Sequence, residues 1–345
     1  MVPVLRIASV VFAASIAIAA RAPAAHADSS ITITLTPDGE QLASYLHLSV
    51  DQLKQNEEDK FNALFQTANL PALLSAFAST TAIADRGLGV DYGLLGTPLM
   101  IGVVANGTVP TDSSLSSSDS HVIGGFVFNF GAMLGANLGR WGAPKWTLYA
   151  NGFYETAGYK DLQGDLTTGG IHAQYRALEG TRGRVRWIGL DVTTGLELAK
   201  WTISTKRDQL QINFKVDNGM GDSEELSYNS MGVMNVEADA TTIPLEVSTG
   251  VSLGDLFVIY GGGGVDLTFA TSTIDVNLDG DLLIRLNQQN VGHATVTASG
   301  QASPGTTSVH ALAGIELEVP HANIYVQGIA TPSDEGVAFG VRATF

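Results

Sequence analysis

Val337-Ala338-Phe339-Gly340-Val341-Arg342-Ala343-Thr344-Phe345, the end of the chain, is the stretch whose reading decides the fold. In an extended chain Val337, Phe339, Val341, Ala343 and Phe345 share one face, and Ala338, Gly340, Arg342 and Thr344 share the other. Side chains alternate across a strand, so this is a strand with one apolar and one mixed face. A soluble sandwich could end the same way, and the pattern has to be followed back through the chain.

The alternation begins at Leu99 and persists. Leu99, Ile101, Val103 and Ala105 alternate with Met100, Gly102, Val104 and Asn106. Val122, Phe126, Phe128, Phe130, Ala132, Leu134, Ala136 and Leu138 then oppose Asn129, Gly131, Gly135 and Asn137. Trp146, Leu148, Ala150 and Tyr154 oppose Thr147, Tyr149, Asn151 and Glu155, and Ile171, Ala173, Tyr175 and Ala177 oppose His172, Gln174 and Arg176. Ile188, Leu190, Val192, Leu196 and Leu198 oppose Asp191, Thr193 and Glu197. Further on, Glu246, Asp266, Glu316 and Glu318 again stand opposite apolar runs. A soluble sheet would expose that charged face to water; a membrane barrel would turn it into its lumen.

Together with Trp and Tyr near strand ends, unequal connections and the aromatic terminus, this series resembles the bacterial outer-membrane β-barrel proteins. The resemblance implies an all-β transmembrane antiparallel β-barrel of about 10 strands, with 12 or 14 as alternatives, preceded by a small α-helical segment. Ten follows from alternating short and long connections. Arg140 to Pro144, Glu179 to Arg184, Gly254-Asp255 and Pro320-His321 are the short ones. Pro110 to Ser120, Gly158 to Gly164 and Thr331 to Gly336 are outer loops, and larger excursions near 202–240 and 270–306 point the same way. Phe345 resembles the aromatic end that the barrel assembly machinery reads, and outer-membrane lipid and lipopolysaccharide are the implied surroundings in a Gram-negative envelope.

The amino-terminal end supplies the compartment. Arg6, the apolar run Ile7 to Ala20 and the small-residue site Ala25-His26-Ala27 predict a signal peptide over 1–27, with export through the periplasm. After it, no window reaches the roughly 18 apolar residues that a membrane helix needs, so any span is a strand. The net charge is −16, and loss of the leader removes Arg6 and Arg21 but no acid, so nucleic acid is excluded as a partner. With no cysteine, neither disulfides nor thiolate metal sites are available.

Residues 28–90 have a different texture. Ser49-Val50-Asp51-Gln52 reads as a capping box, and the apolar spacing that follows predicts two or three helices over about 38–86. The layout, a periplasmic cap or a plug ahead of a barrel over 91–345, is loosely similar to the hatch of the long-chain fatty acid transporter family. That family's Asn-Pro-Ala motif is not matched, because Leu70 separates Asn69 from Pro71 and Ala72.

The strand parity predicts a lumen lined by Glu155, His172, Arg176, Asp191, Glu197, Glu246, Asp266, Glu316, Glu318 and Arg342. An open lumen of that kind would favour cations; a filled one would pair its charges internally. Asp275, Asn277, Asp279 and Asp281 have the opening spacing of a calcium loop, but Leu286 stands where its closing Glu belongs, and Asp279-Gly280 reads more simply as a hairpin turn. Gly261 to Gly264 sits inside an alternating run without a following Lys-Ser or Lys-Thr, so it is a strand feature rather than a phosphate loop. No nucleophile, metal or cofactor constellation emerges, and no enzymatic activity is expected. The expectation is a porin-like barrel that transports small solutes, with a structural or adhesin-like surface barrel as the alternative.

Overall fold

The computed structural model describes residues 24–65, 70–84, 86, 90–92, 99–111, 127–159, 162–205, 209–217, 223–254 and 256–345. Most of the expected leader, Val122, Phe126 and the serine-rich run 113–120 lie outside the described residues. A strand β1 (Ala24–Leu35) leads to helices α1 (Pro37–Tyr45), α2 (Val50–Phe65) and α3 (Leu70–Ile83). The strands after them are β2 (Leu99–Pro110), β3 (Val127–Asn137), β4 (Trp146–Tyr159), β5 (Leu162–Glu179), β6 (Val185–Thr205) and β7 (Gln209–Asp217). The series continues with β8 (Ser223–Leu253), β9 (Phe257–Ile284), β10 (Asn290–Ser303), β11 (Thr307–Val319), β12 (Ala322–Ala330) and β13 (Asp334–Thr344).

Ten of these strands close on themselves. Antiparallel pairing runs β9-β11-β12-β13-β2-β3-β4-β5-β6-β8, and β8 returns to β9 along its length. The terminal strand is held on both sides, with Val341 opposite Ile324 on β12 and Val103 on β2. Closure leaves no edge in the ring, which is what a sheet crossing lipid requires. The exterior is an apolar belt in which Ile101, Phe130, Leu148, Ile171, Leu198, Leu245, Ile259, Ile315, Phe339 and Phe345 all stand exposed. The expected transmembrane barrel of ten strands is thus the observed one.

Strands β8 and β9 outrun the membrane. At about 3.3 Å per residue, the 31 residues of β8 span roughly 100 Å, whereas a tilted membrane strand needs about 9–11 residues. Their far halves carry β10 and β1 on one side and β7 on the other, giving the order β1-β10-β9-β8-β7 above the ring. The inner face of this extension buries Val276, Leu278, Leu282, Val296, Leu226 and Tyr228 against Ile33, Leu42, Leu46, Leu53 and Leu74 from β1 and the helices. Extension and helices therefore form one lobe at the long-connection end. Its helix starts follow local chemistry: Thr36 Oγ1 accepts from Gly39 N–H at α1, and Ser49 and Gln52 bond reciprocally at α2, at 2.8 and 3.1 Å.

Two sequence expectations need correction. Asp279-Gly280 is not a hairpin turn: it lies within β9, with Gly280 opposite both Ser230 and Ala294. A strand flanked on both sides stays extended, and glycine suits the crowding, since a Cβ there would sit 2.2 Å from the Asn229 carbonyl oxygen. The alternate acids Asp275, Asp279 and Asp281 consequently line one face of a strand rather than wrapping a point, which is incompatible with a calcium loop. Ile188 was expected on the lipid side with Leu190, yet it is buried inside. A register shift between Trp187 and Leu190, with Gly189 at φ 111°, is a bulge that reverses the parity below it.

Tyrosines inside the ring lie over glycines on neighbouring strands. A Cβ at Gly340 would fall 2.2 Å from the Tyr325 ring, and one at Gly314 would fall 2.3 Å from Tyr260. Gly340→Val is therefore expected to destabilise the barrel by about 1–3 kcal/mol through overpacking. Gly152→Val is the control, since its Cβ would meet only Thr168 O at 3.8 Å. Equal urea midpoints for the two variants in detergent would refute this packing account.

Candidate functional site

The lumen is where charge, burial and the amino-terminal segment meet. Helix α3 enters it from the lobe, and its sequence explains how. Ala78 and Ala82 are small enough to lie against Ala199, Ala240 and Ala270 of the wall, while Phe77 packs higher up against Trp201, ring centroids 5.2 Å apart. A helix end inside a barrel leaves carbonyls that water cannot reach. The wall supplies donors instead: Thr242 Oγ1 donates to Ala82 O at 3.4 Å, Asn129 Nδ2 to Ala84 O at 3.0 Å, and Asn106 Nδ2 to the same Ala84 oxygen.

Below the helix, Arg86 occupies the middle of the ring. Its Nη2 lies 2.9 Å from Asp266 Oδ1 and 3.2 Å from Glu197 Oε2, and its Nη1 lies 3.6 Å from Glu246 Oε1. All four side chains are essentially removed from solvent. His310 joins the cluster with Nδ1 2.7 Å from Asp266 and Nε2 3.1 Å from Glu246, so each ring nitrogen faces a carboxylate. His172 Nε2 stands 3.7 Å from Glu197, and Tyr92 donates to Glu246 Oε2 at 2.5 Å. Three wall carboxylates thus surround one guanidinium contributed by the segment they enclose.

A second cluster lies toward the short-connection end. Arg342 points inward from β13, its Nη1 2.8 Å from Asp91 Oδ2 and its Nη2 3.4 Å from Glu316 Oε2, with the guanidinium 4.1 Å from the centroid of the Tyr325 ring. Asn323 Nδ2 donates to the other Glu316 oxygen at 2.8 Å. Arg176 forks onto both oxygens of Asp191, which also accepts from Gln174 Nε2 at 3.0 Å, and Tyr149 donates to Gln174 Oε1 at 2.7 Å. Val90 and Tyr92 fill the space between, packed among Met100, Tyr149, Ile188, Val258, Tyr260 and Leu312.

Of the residues that parity assigned to the lumen, His172, Glu197, Glu246 and Asp266 come together around Arg86, and Glu316 and Arg342 around Asp91. Asp191 and Arg176 pair with each other near the short turns. Glu318 is partly buried at that rim, 4.0 Å from Arg186, and Glu155 is half-buried on β4 opposite Leu166, in neither cluster. Sequence reasoning missed Arg86, Asp91 and Tyr92, which lie in no periodic segment. It also missed His310, which the alternation of β11 would have reached had it been followed back from Glu316 by even steps. Among the described residues no group of His, Asp and Glu has the arrangement of a metal site.

Comparison with solved structures finds remote likenesses. The structure is similar to the CymD monoaromatic hydrocarbon channel at 8% identity, covering 79% of this chain and 97% of that one with a TM-score of 0.26. It is also similar to the outer membrane protease OmpT from Escherichia coli (9% identity, 72% and 94% coverage, TM-score 0.36). A third likeness is to the translocator domain of the autotransporter NalP from Neisseria meningitidis (12% identity, 79% and 99% coverage, TM-score 0.31). All are bacterial outer-membrane β-barrel proteins, the class that the terminal strand resembles, and at these scores they carry nothing about activity. No curated protein matches the sequence. Residues 27–345 match a family model described as Lsa36-like.

Proposed function

The chain belongs to the Lsa36-like family, and for this member we propose a sealed outer-membrane barrel that anchors and displays its lobe at the cell surface for interaction with other macromolecules. The observation that carries this reading is the chain's own passage through the lumen. Arg86, Val90, Asp91 and Tyr92 are all buried within the ring and engage wall residues on β6, β8, β9 and β13. A small barrel has an interior that side chains can occupy, and the burial of these four residues supports the sealed reading. Transport of small solutes, the other reading, would need this segment to leave.

Orientation follows from the connections. Barrels of this class have short periplasmic turns and longer extracellular ones. The short links β3–β4, β5–β6, β8–β9 and β11–β12 share one end with Phe345, so the lobe stands at the outer end. Its outward sheet face is polar and acidic. A cleft of about 330 Å³ there is lined by Ser30, Val233, Asp275, Asn277, Thr297 and Ser299. Beside it His293 bridges Asp281 and Asp279 at 3.0 and 2.9 Å, and those hydrogen bonds hold the imidazole above its ordinary pKa. Such a face suits a polar, basic partner better than a lipid surface.

Planar-bilayer recording tests the seal. Folded wild-type protein is expected to give no steady conductance at moderate voltage. A stable ohmic channel from the intact chain would overturn the sealed-barrel reading and restore solute transport as the function.

A further inference from the structure

The path of the amino-terminal segment has a consequence for how the protein reaches its final form. β1, α1 and α2 lie in the lobe at the long-connection end. Helix α3 then descends through the mouth: Leu74 packs in the lobe core, Ala78 and Ala82 against the wall, and Ala84 against Val127 and Leu166. Arg86 reaches the middle of the ring, and Val90 and Tyr92 reach the layer below it. Leu99 opens β2 at the opposite end, where its carbonyl accepts from Phe345 N–H at 3.0 Å. Within one chain, then, β1, α1 and α2 lie at one end of the ring, and the first ring strand starts at the other.

We propose that the barrel is the passage through which its own residues 28–83 are carried to the outer face. The inference rests on the surface-display reading above. A chain arriving from the inner side has its amino-terminal part in the periplasm before any ring strand exists, so that part must cross the membrane that the ring spans. The lumen is the crossing the structure shows occupied, and its upper half is built for a slender segment. The wall there presents Ala199, Ala240, Ala270, Thr168, Thr242 and Thr268, and α3 answers with Ala78, Thr81 and Ala82. The charged clusters lie below this smooth section, placed to arrest the chain once α3 is seated. Arg86 meets its three carboxylates and Asp91 meets Arg342 only at the final register.

The absence of cysteine makes the test direct. Tyr45, 69% exposed on the lobe, becomes a unique thiol in Tyr45→Cys, read with a membrane-impermeant maleimide on intact cells. Labelling of the unfused chain before permeabilisation is expected, and its failure would overturn the display reading itself. A small disulfide-stapled domain is then fused ahead of residue 28, and heat-modifiable gel migration reports barrel closure. With the staple oxidised, surface labelling of Tyr45→Cys is expected to fall at least tenfold, either because transit stalls or because the ring cannot close around the blocked segment. Replacing both staple cysteines by serine, which leaves Tyr45→Cys as the single thiol, is expected to restore both labelling and closure. A closed barrel showing full surface labelling with the oxidised domain also outside would overturn passage through the lumen while leaving surface display intact.

Discussion

Arg86→Met is expected to cost about 3–5 kcal/mol of barrel stability, the range found when one partner of a buried ion pair is removed. Glu197, Glu246 and Asp266 would keep their positions on three strands of the wall and lose the guanidinium that now faces all three. His310 remains and faces Asp266 and Glu246, whereas Glu197 has the His172 ring at 3.7 Å. Methionine is close in length and flexible enough to fill the space, which isolates the charge from the packing. Urea unfolding in detergent should show a lowered midpoint, and bilayer recordings should show openings that the wild type lacks, because the lumen segment is then held at its Asp91 and Tyr92 contacts without the Arg86 cluster. An unchanged midpoint together with continued electrical silence would sink the view that Arg86 locks the segment.

Arg342→Met is expected to have an effect of the same order, again about 3–5 kcal/mol, with a different signature. Arg342 lies on β13, between β12 and β2, so its loss weakens the place where the last strand closes the ring. Asp91 and Glu316 would be left facing each other, and the contact over Tyr325, worth about 0.5–2 kcal/mol by itself, would go as well. Adding Glu316→Gln to Arg342→Met should recover part of the loss, because one of the two stranded charges is then removed. A double-mutant cycle reads that recovery as a coupling energy. Strict additivity between the two substitutions would show that Arg342 and Glu316 do not act as a pair.

The two arginines illustrate what periodicity can and cannot reveal. Arg342 could be assigned an inward direction from Val337–Phe345 alone, because a period of two leaves only two choices and lipid excludes one of them. The same logic placed His172, Glu197, Glu246, Asp266 and Glu316 on one face of their strands. It failed at Ile188, where the bulge at Gly189 inserts a residue and reverses the parity, something no alternation can announce. Asp279-Gly280 misled for a related reason: the dipeptide has turn chemistry, yet neighbours on both sides of β9 hold it extended. Arg86 and Asp91 were out of reach altogether. They lie between the last helix and the first ring strand, where no repeat gives a direction, and their significance comes from side chains as far away in sequence as Asp266 is from Arg86 and Arg342 is from Asp91.

What the sequence determined by itself, then, was the class of the protein and its inside and outside. Alternation is a local property, and the requirement that lipid meet apolar atoms turns it into a ring with a charged interior. The strand count was also legible, because short and long connections alternate along the chain. The tertiary structure alone decided that Arg86, Val90, Asp91 and Tyr92 lie buried within the ring, and that the amino-terminal strand and helices pack with the far halves of β8 and β9 in one lobe. Those facts depend on contacts such as Arg86 with Asp266 and Asp91 with Arg342, which bring together charges that have no spacing in common. Burial fixes where such charges can rest, since each must find its opposite inside the ring or remain unpaired in a low-dielectric interior.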